Sequence, residues 1–118
     1  MKIVDRKTFL KMPAGVAYVK VPERWCPEGG IMFKGDTCTH EGRDIDWFYL
    51  DPTWVDGYDT GECISRLDEM IDRGLSYPMQ VAEGRDGLFD EGDMFMIFER
   101  HDLDILAQAI ERARSVMA

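Results

Sequence analysis

Residues Asp44–Asp51 read Asp-Ile-Asp-Trp-Phe-Tyr-Leu-Asp, the densest apolar and aromatic run in the middle of the chain. Ile45, Trp47 and Tyr49 alternate with Asp44, Asp46 and Phe48, a period of two that sends one set of side chains to each face of a β-strand. Phe48 and Leu50 interrupt the polar set, so both faces need cover and the strand belongs inside a sheet. The flanking aspartates disfavour pairing of its ends with foreign strands. The rest of the chain must supply neighbouring strands and a layer to cover them.

At 118 residues the chain fits one domain, and a domain of that size hides about two-thirds of the surface its unfolded form exposes. Its 45% hydrophobic and 31% charged content is that of a globular protein rather than a disordered one. The net charge of −9 is uneven: residues 1–24 carry six Lys or Arg against Asp5 and Glu23, which leaves −13 for residues 25–118. Such a field repels phosphate backbones and speeds encounter with basic proteins, so it disfavours nucleic acid as a partner and favours a basic protein. Cys26, Cys38 and Cys63 are an odd number at spacings unlike a disulfide scaffold, which implies a reducing, cytoplasmic setting. The amino terminus lacks the apolar run of a signal peptide and no stretch approaches a membrane span.

Taken in order, Asp5 is placed to cap a brief helix through Met12, with Val4 and Phe9 as a hydrophobic staple and Pro13 as the stop. Val16–Val21 reads as a strand ended by Pro22, and Pro27, Gly29 and Gly30 read as a turn leading into a second strand from Ile31 towards Thr39. The Asp44–Asp51 strand follows, then an aromatic loop from Pro52 to Tyr58. Asp59 and Glu62 have capping-box spacing, and Ile64, Leu67, Met70 and Ile71 share one helical face until Gly74 closes the helix. Tyr77–Glu83 is extended, Gly84–Gly92 is a polar loop, and Met94–Phe98 is a buried strand. Asp102 is expected to cap a final helix whose Leu103, Leu106, Ile110, Ala113 and Met117 form a narrow apolar seam. The expected fold is α+β: a mostly antiparallel sheet of about five strands, two main helices on one face, and a short N-terminal helix.

Cys38 and His40, with Cys26 and Cys63, are the residue types that zinc prefers, but no Cys-x-x-Cys knuckle exists and the spacing argues against a metal. The same Cys38–His40 pair would suit an activated thiol, the basis of an alternative reading as a thiol- or metal-dependent enzyme. The carboxylates around Asp56 and those from Asp86 to Asp93 lack the ligand positions of a calcium loop and read as solvated surface. No phosphate-binding or hydrolase motif is present, and no cofactor is implied. What remains is an acidic, aromatic stretch in which Trp54, Asp56, Tyr58 and Asp59 are the candidate contact residues, because Trp and Tyr anchor interfaces and carboxylates give charge complementarity.

Asp5-Arg6-Lys7-Thr8-Phe9-Leu10 with Pro13 and Gly15–Tyr18, and Gly84-Arg85-Asp86-Gly87-Leu88-Phe89-Asp90 before Met94–Glu99, resemble segments of small, functionally uncharacterised bacterial or phage-encoded proteins. That resemblance implies an accessory or regulatory role and no catalytic residue. The expected function is a non-enzymatic protein-binding module, with mimicry of nucleic acid as a special form. A self-associating structural protein, a homodimer through Leu106 and Ile110 of the last helix, is the third expectation.

Overall fold

The computed structural model describes residues 1–117. Elements follow in the order β1 (Lys2–Asp5), α1 (Arg6–Leu10), β2 (Ala17–Glu23), β3 (Cys26–His40), β4 (Arg43–Val55), α2 (Thr60–Arg73), β5 (Met79–Arg85), β6 (Met94–Ile97) and α3 (Arg100–Val116). The strands form one sheet in the order β1-β6-β2-β3-β4-β5, antiparallel at every pairing. The α+β class is therefore as expected. The sheet has six strands rather than five because Lys2–Asp5, too short to assign from its own pattern, is held by β6 through pairs from Lys2 with Ile97 to Asp5 with Met94.

Several boundaries differ from the sequence reading, each for a ladder reason. Pro22 lies within β2 rather than ending it, at a register irregularity between Lys20 and Glu23 where its missing N–H is tolerated. The turn between β2 and β3 is Arg24-Trp25, so Pro27, Gly29 and Gly30 belong to β3. β4 continues through Pro52 to Val55 across a second irregularity between Asp51 and Trp54. There the Asp51 carboxylate accepts from the Thr53 N–H, a local bond that stands in for the lost ladder contact. At the other end of β4 a two-residue turn with Glu41 at φ 51 and Gly42 at φ 73 closes the hairpin between His40 and Arg43, the left-handed pair that suits strand twist.

The core side chains over the sheet come from α1, a helix of five residues. Asp5 caps it by accepting from Thr8 N, and Phe9 and Leu10 drop into the sheet. Phe9 stacks on Phe95 at 4.0 Å with planes 4° apart, and Trp47 meets both rings edge-on at 5.2 Å. Tyr18 completes the cluster, its hydroxyl accepting from Trp47 Nε1 at 3.0 Å. The edge contacts that Trp47 makes suit the aromatic quadrupole. α2 begins at Asp59 and ends at Gly74 with φ 65, as its caps foretell, but buries only Cys63. Gly57 allows that close approach: a Cβ there would lie 2.6 Å from the Cys63 sulfur. The cap of α3 lies three residues before Asp102. Glu99 is its N-cap, while Asp102 accepts from the Glu99 N–H and pairs with the terminal amine of Met1 at 2.8 Å. No side chain of α3 is buried.

This distribution of burial orders the energetics. Phe9→Ala empties a fully enclosed ring site and is expected to cost about 3–5 kcal/mol, a large share of a stability of roughly 5–15 kcal/mol. Ile71→Ala, on the open side of α2, is expected to stay within about 0.5 kcal/mol. Urea denaturation of the two variants reads the contrast directly in the midpoint.

Candidate functional site

β4 ends in Trp54 and Val55, and a four-residue connection carries Asp56 and Tyr58 to Asp59, the cap of α2. Val55 turns inwards and is buried, while Trp54 is partly exposed and Tyr58 stands 92% exposed. Asp56 is held from two sides: its N–H donates to Pro78 O, and its own carbonyl accepts from Arg66 at 2.5 Å. Arg66 also pairs with Glu62 at 2.8 Å and lies 4.9 Å over the Tyr77 ring. Tyr77 donates to Glu69, and that bond raises its pKa. The four nominated residues thus follow one another along a short segment braced by α2. Asp59 carries a structural duty as well, because its carboxylate accepts from Glu62 N at 2.8 Å.

Apolar side chains continue outward from this segment. On α2, Ile64, Leu67, Met70 and Ile71 are exposed, and on the edge strand β5 so are Met79 and Val81. Asp59, Asp68 and Asp72 form no ion pair among the described residues. The surface is therefore apolar with carboxylates among the side chains.

A second exposed aromatic lies outside the nominated segment. Trp25 is 89% exposed and occupies the second turn position of the β2–β3 hairpin with φ 69, a conformation that favours Gly or Asn. Arg24 stacks over its ring at 5.6 Å. The usable sequence signal was a Trp between two strands at a place where a small turn residue belongs.

Inside the sheet the charged residues are more informative than the thiols. The segment from Asp86 to Asp93 carries the chain from edge strand β5 across to β6, and Lys20 of β2 holds both of its ends, with its amine 2.9 Å from Asp86 and 3.0 Å from Asp93. These carboxylates are therefore structural partners rather than a solvated loop. Burial alone would favour the neutral Lys20 amine, but the two carboxylates outweigh it and raise its pKa above the ordinary value. Asp46, one of the polar set of the strand, is fully buried: Arg85 donates to it at 2.7 Å and Gly87 N at 3.0 Å. Burial pushes the neighbouring Tyr18 phenol up to about 12 against the hydrogen bond from Trp47, so it stays protonated through the physiological range.

Cys26, Cys38, His40 and Cys63 are spread over the start of β3, its far end and α2. A register shift between Cys38 and Thr39 interrupts the alternation that would set Cys38 and His40 on one face. Among the described residues no three His, Cys, Asp or Glu side chains form a group that could hold a metal ion. No helix among them is long and apolar enough to cross a membrane. Comparison of the chain with protein-family models, with curated proteins and with solved structures returned no match.

Lys34 gives this interior a pH signature. It is 2% exposed, donates to Thr37 Oγ1 at 2.6 Å and Gly35 O at 3.1 Å, and has no carboxylate in contact among the described residues. Burial lowers its pKa from the ordinary 10.5, against the pull of Asp36 and Asp44. A lysine lowered in this way binds its proton more weakly folded than unfolded, so stability rises with pH between the folded-state pKa and 10.5. Lys34→Met is expected to raise the thermal midpoint at neutral pH, and the gain over the parent should shrink as pH approaches 10.5. Thermal melts across that range check both the sign and the window.

Proposed function

We propose that this chain is a non-enzymatic binding module with an accessory or regulatory role, which presents the acidic, aromatic surface around Trp54, Asp56, Tyr58 and Asp59 to a basic protein. The observation that supports this best is the surface left open. The accessible area is 8535 Å², against about 6,600 Å² for a folded monomer of this size. The radius of gyration is 16.5 Å, where a compact chain of this length has roughly 13–14 Å. The excess area is on the order of what a standard interface removes from both partners together. α2 and β5 next to the nominated segment contribute exposed apolar side chains to it.

A second reading rests on α3, which runs for 17 residues without one buried side chain. Its Leu106 and Ile110 would seat a second copy, giving a homodimer through the terminal helix.

Native mass spectrometry of the chain purified gently from its own host separates these readings. A basic protein that stays bound at low salt, dissociates as salt rises, and is lost from an Asp56→Lys, Tyr58→Ala variant is the expected result. Asp59 is left in place in that variant because it caps α2. Retention of the same partner by the variant would sink the proposed surface. A bare dimer that Leu106→Asp with Ile110→Asp converts to monomer would establish the second reading instead, and a monomer at every concentration would remove it.

A further inference from the structure

Between α1 and the turn of the β3–β4 hairpin lies a cavity of about 340 Å³, lined by Arg6, Lys7, Leu10, Lys11, Arg43 and Glu91, with Gly42 and Asp44 at the turn. The volume falls in the range of small-molecule sites. Four of these side chains are cationic, in a chain whose net charge is −9. None of the four makes an ion pair among the described residues, although Asp44 and Glu91 share the lining. Arg6 is the exceptional member. It is 5% exposed, yet its Nε is buried without any hydrogen-bond partner.

A guanidinium keeps its charge in a protein, and a buried charge with no counter-ion is costly. The surroundings of Arg6 orient it without neutralising it. One terminal nitrogen donates to the Ile45 carbonyl at 2.5 Å, and the guanidinium carbon sits 5.7 Å over the Trp47 ring. A planar fork fixed in this way, whose other terminal nitrogen makes no hydrogen bond among the described residues, with flexible ammonium groups nearby, is the arrangement that recognises a tetrahedral oxyanion. We propose that this cavity binds the phosphate group of a small molecule, with Arg6 as the fixed donor and Lys7, Lys11 and Arg43 supplying charge at the rim.

Asp44 and Glu91 narrow the ligand further. Carboxylates beside the phosphate seat repel the continuing charges of a polyanion, so an extended nucleic-acid backbone fits poorly, whereas they accept hydrogen bonds from hydroxyl groups. A phosphomonoester of a hydroxylated small molecule satisfies both halves of the lining. The site is independent of the proposed protein-binding surface, since it shares no residue with it.

Titration calorimetry and thermal melts with ribose 5-phosphate, inorganic phosphate and unphosphorylated ribose test the proposal on the full chain. The expected result is binding and a rise in Tm with the phosphomonoester, weaker binding of inorganic phosphate, and none with ribose. Equal binding of ester and free phosphate would support the phosphate seat while removing the role given to Asp44 and Glu91. Arg6→Gln is expected to abolish binding. Because Arg6 is part of the core, the exposed pair Lys7→Glu with Lys11→Glu provides a second variant, expected to weaken binding by about tenfold or more, which is at least 1.4 kcal/mol. No response to either phosphate compound at about 10 mM, well above a useful Kd, would overturn the proposal, as would binding that the Lys7 and Lys11 changes leave intact.

Discussion

The amine of Lys20 joins Asp86 and Asp93, the first and last residues of the segment that carries the chain over the sheet from β5 to β6. That segment delivers β6 to its slot between β1 and β2, where Phe95 stacks on Phe9. One cation on β2 thus fixes both ends of the longest irregular crossing in the fold. Its pKa lies above the ordinary 10.5, so the stabilisation is fully present at neutral pH and is lost only as pH climbs from 10.5 through that raised value. Nearby, Asp46 ties the start of the crossing to β4 through Arg85 and Gly87. The two sets of contacts work together, one along β2 and one along β4.

The aromatic cluster beneath depends on this frame and on cations of its own. Trp47 lies between Arg6 and Lys20, 5.7 and 5.8 Å from its ring centre, and Lys34 stands 5.9 Å over Phe9. Such contacts recover part of the cost of bringing charge near the core. Only Lys20 among the three also has carboxylate partners; Arg6 and Lys34 rely on carbonyl or hydroxyl acceptors. A core bordered by cations in an acidic chain explains why the charge asymmetry of the first 24 residues matters to the interior as well as to the surface.

What the sequence disclosed was what neighbours along the chain decide. Asp5, Asp59 and Gly74 are caps because capping is settled within a turn or two, and the alternation around Trp47 correctly assigned it to the core. Asp46 was placed in the polar set of the strand, and its burial was hidden because its partners, Arg85 and Gly87, come from a distant strand edge. The same reason hid the Lys20 contacts and the pairing of Lys2–Asp5 with β6. Pro27, Gly29 and Gly30 looked like a turn because composition usually decides turns, yet the chain turns at Arg24-Trp25 against that preference. Of the candidate surface, the exposure of Tyr58 and part of Trp54 was legible, and so was the capping duty of Asp59.

The place of β6 has a consequence for synthesis. β1 and β2 flank it, so the two earliest strands have no partnership with each other until Met94–Ile97 is inserted between them. On the ribosome, Phe9 and Tyr18 are made long before Phe95, and pairing across so much intervening chain carries a large closure cost. The nascent chain therefore carries Phe9 and Tyr18 without their Phe95 partner until β6 follows, and the sheet closes between β1 and β2 only then.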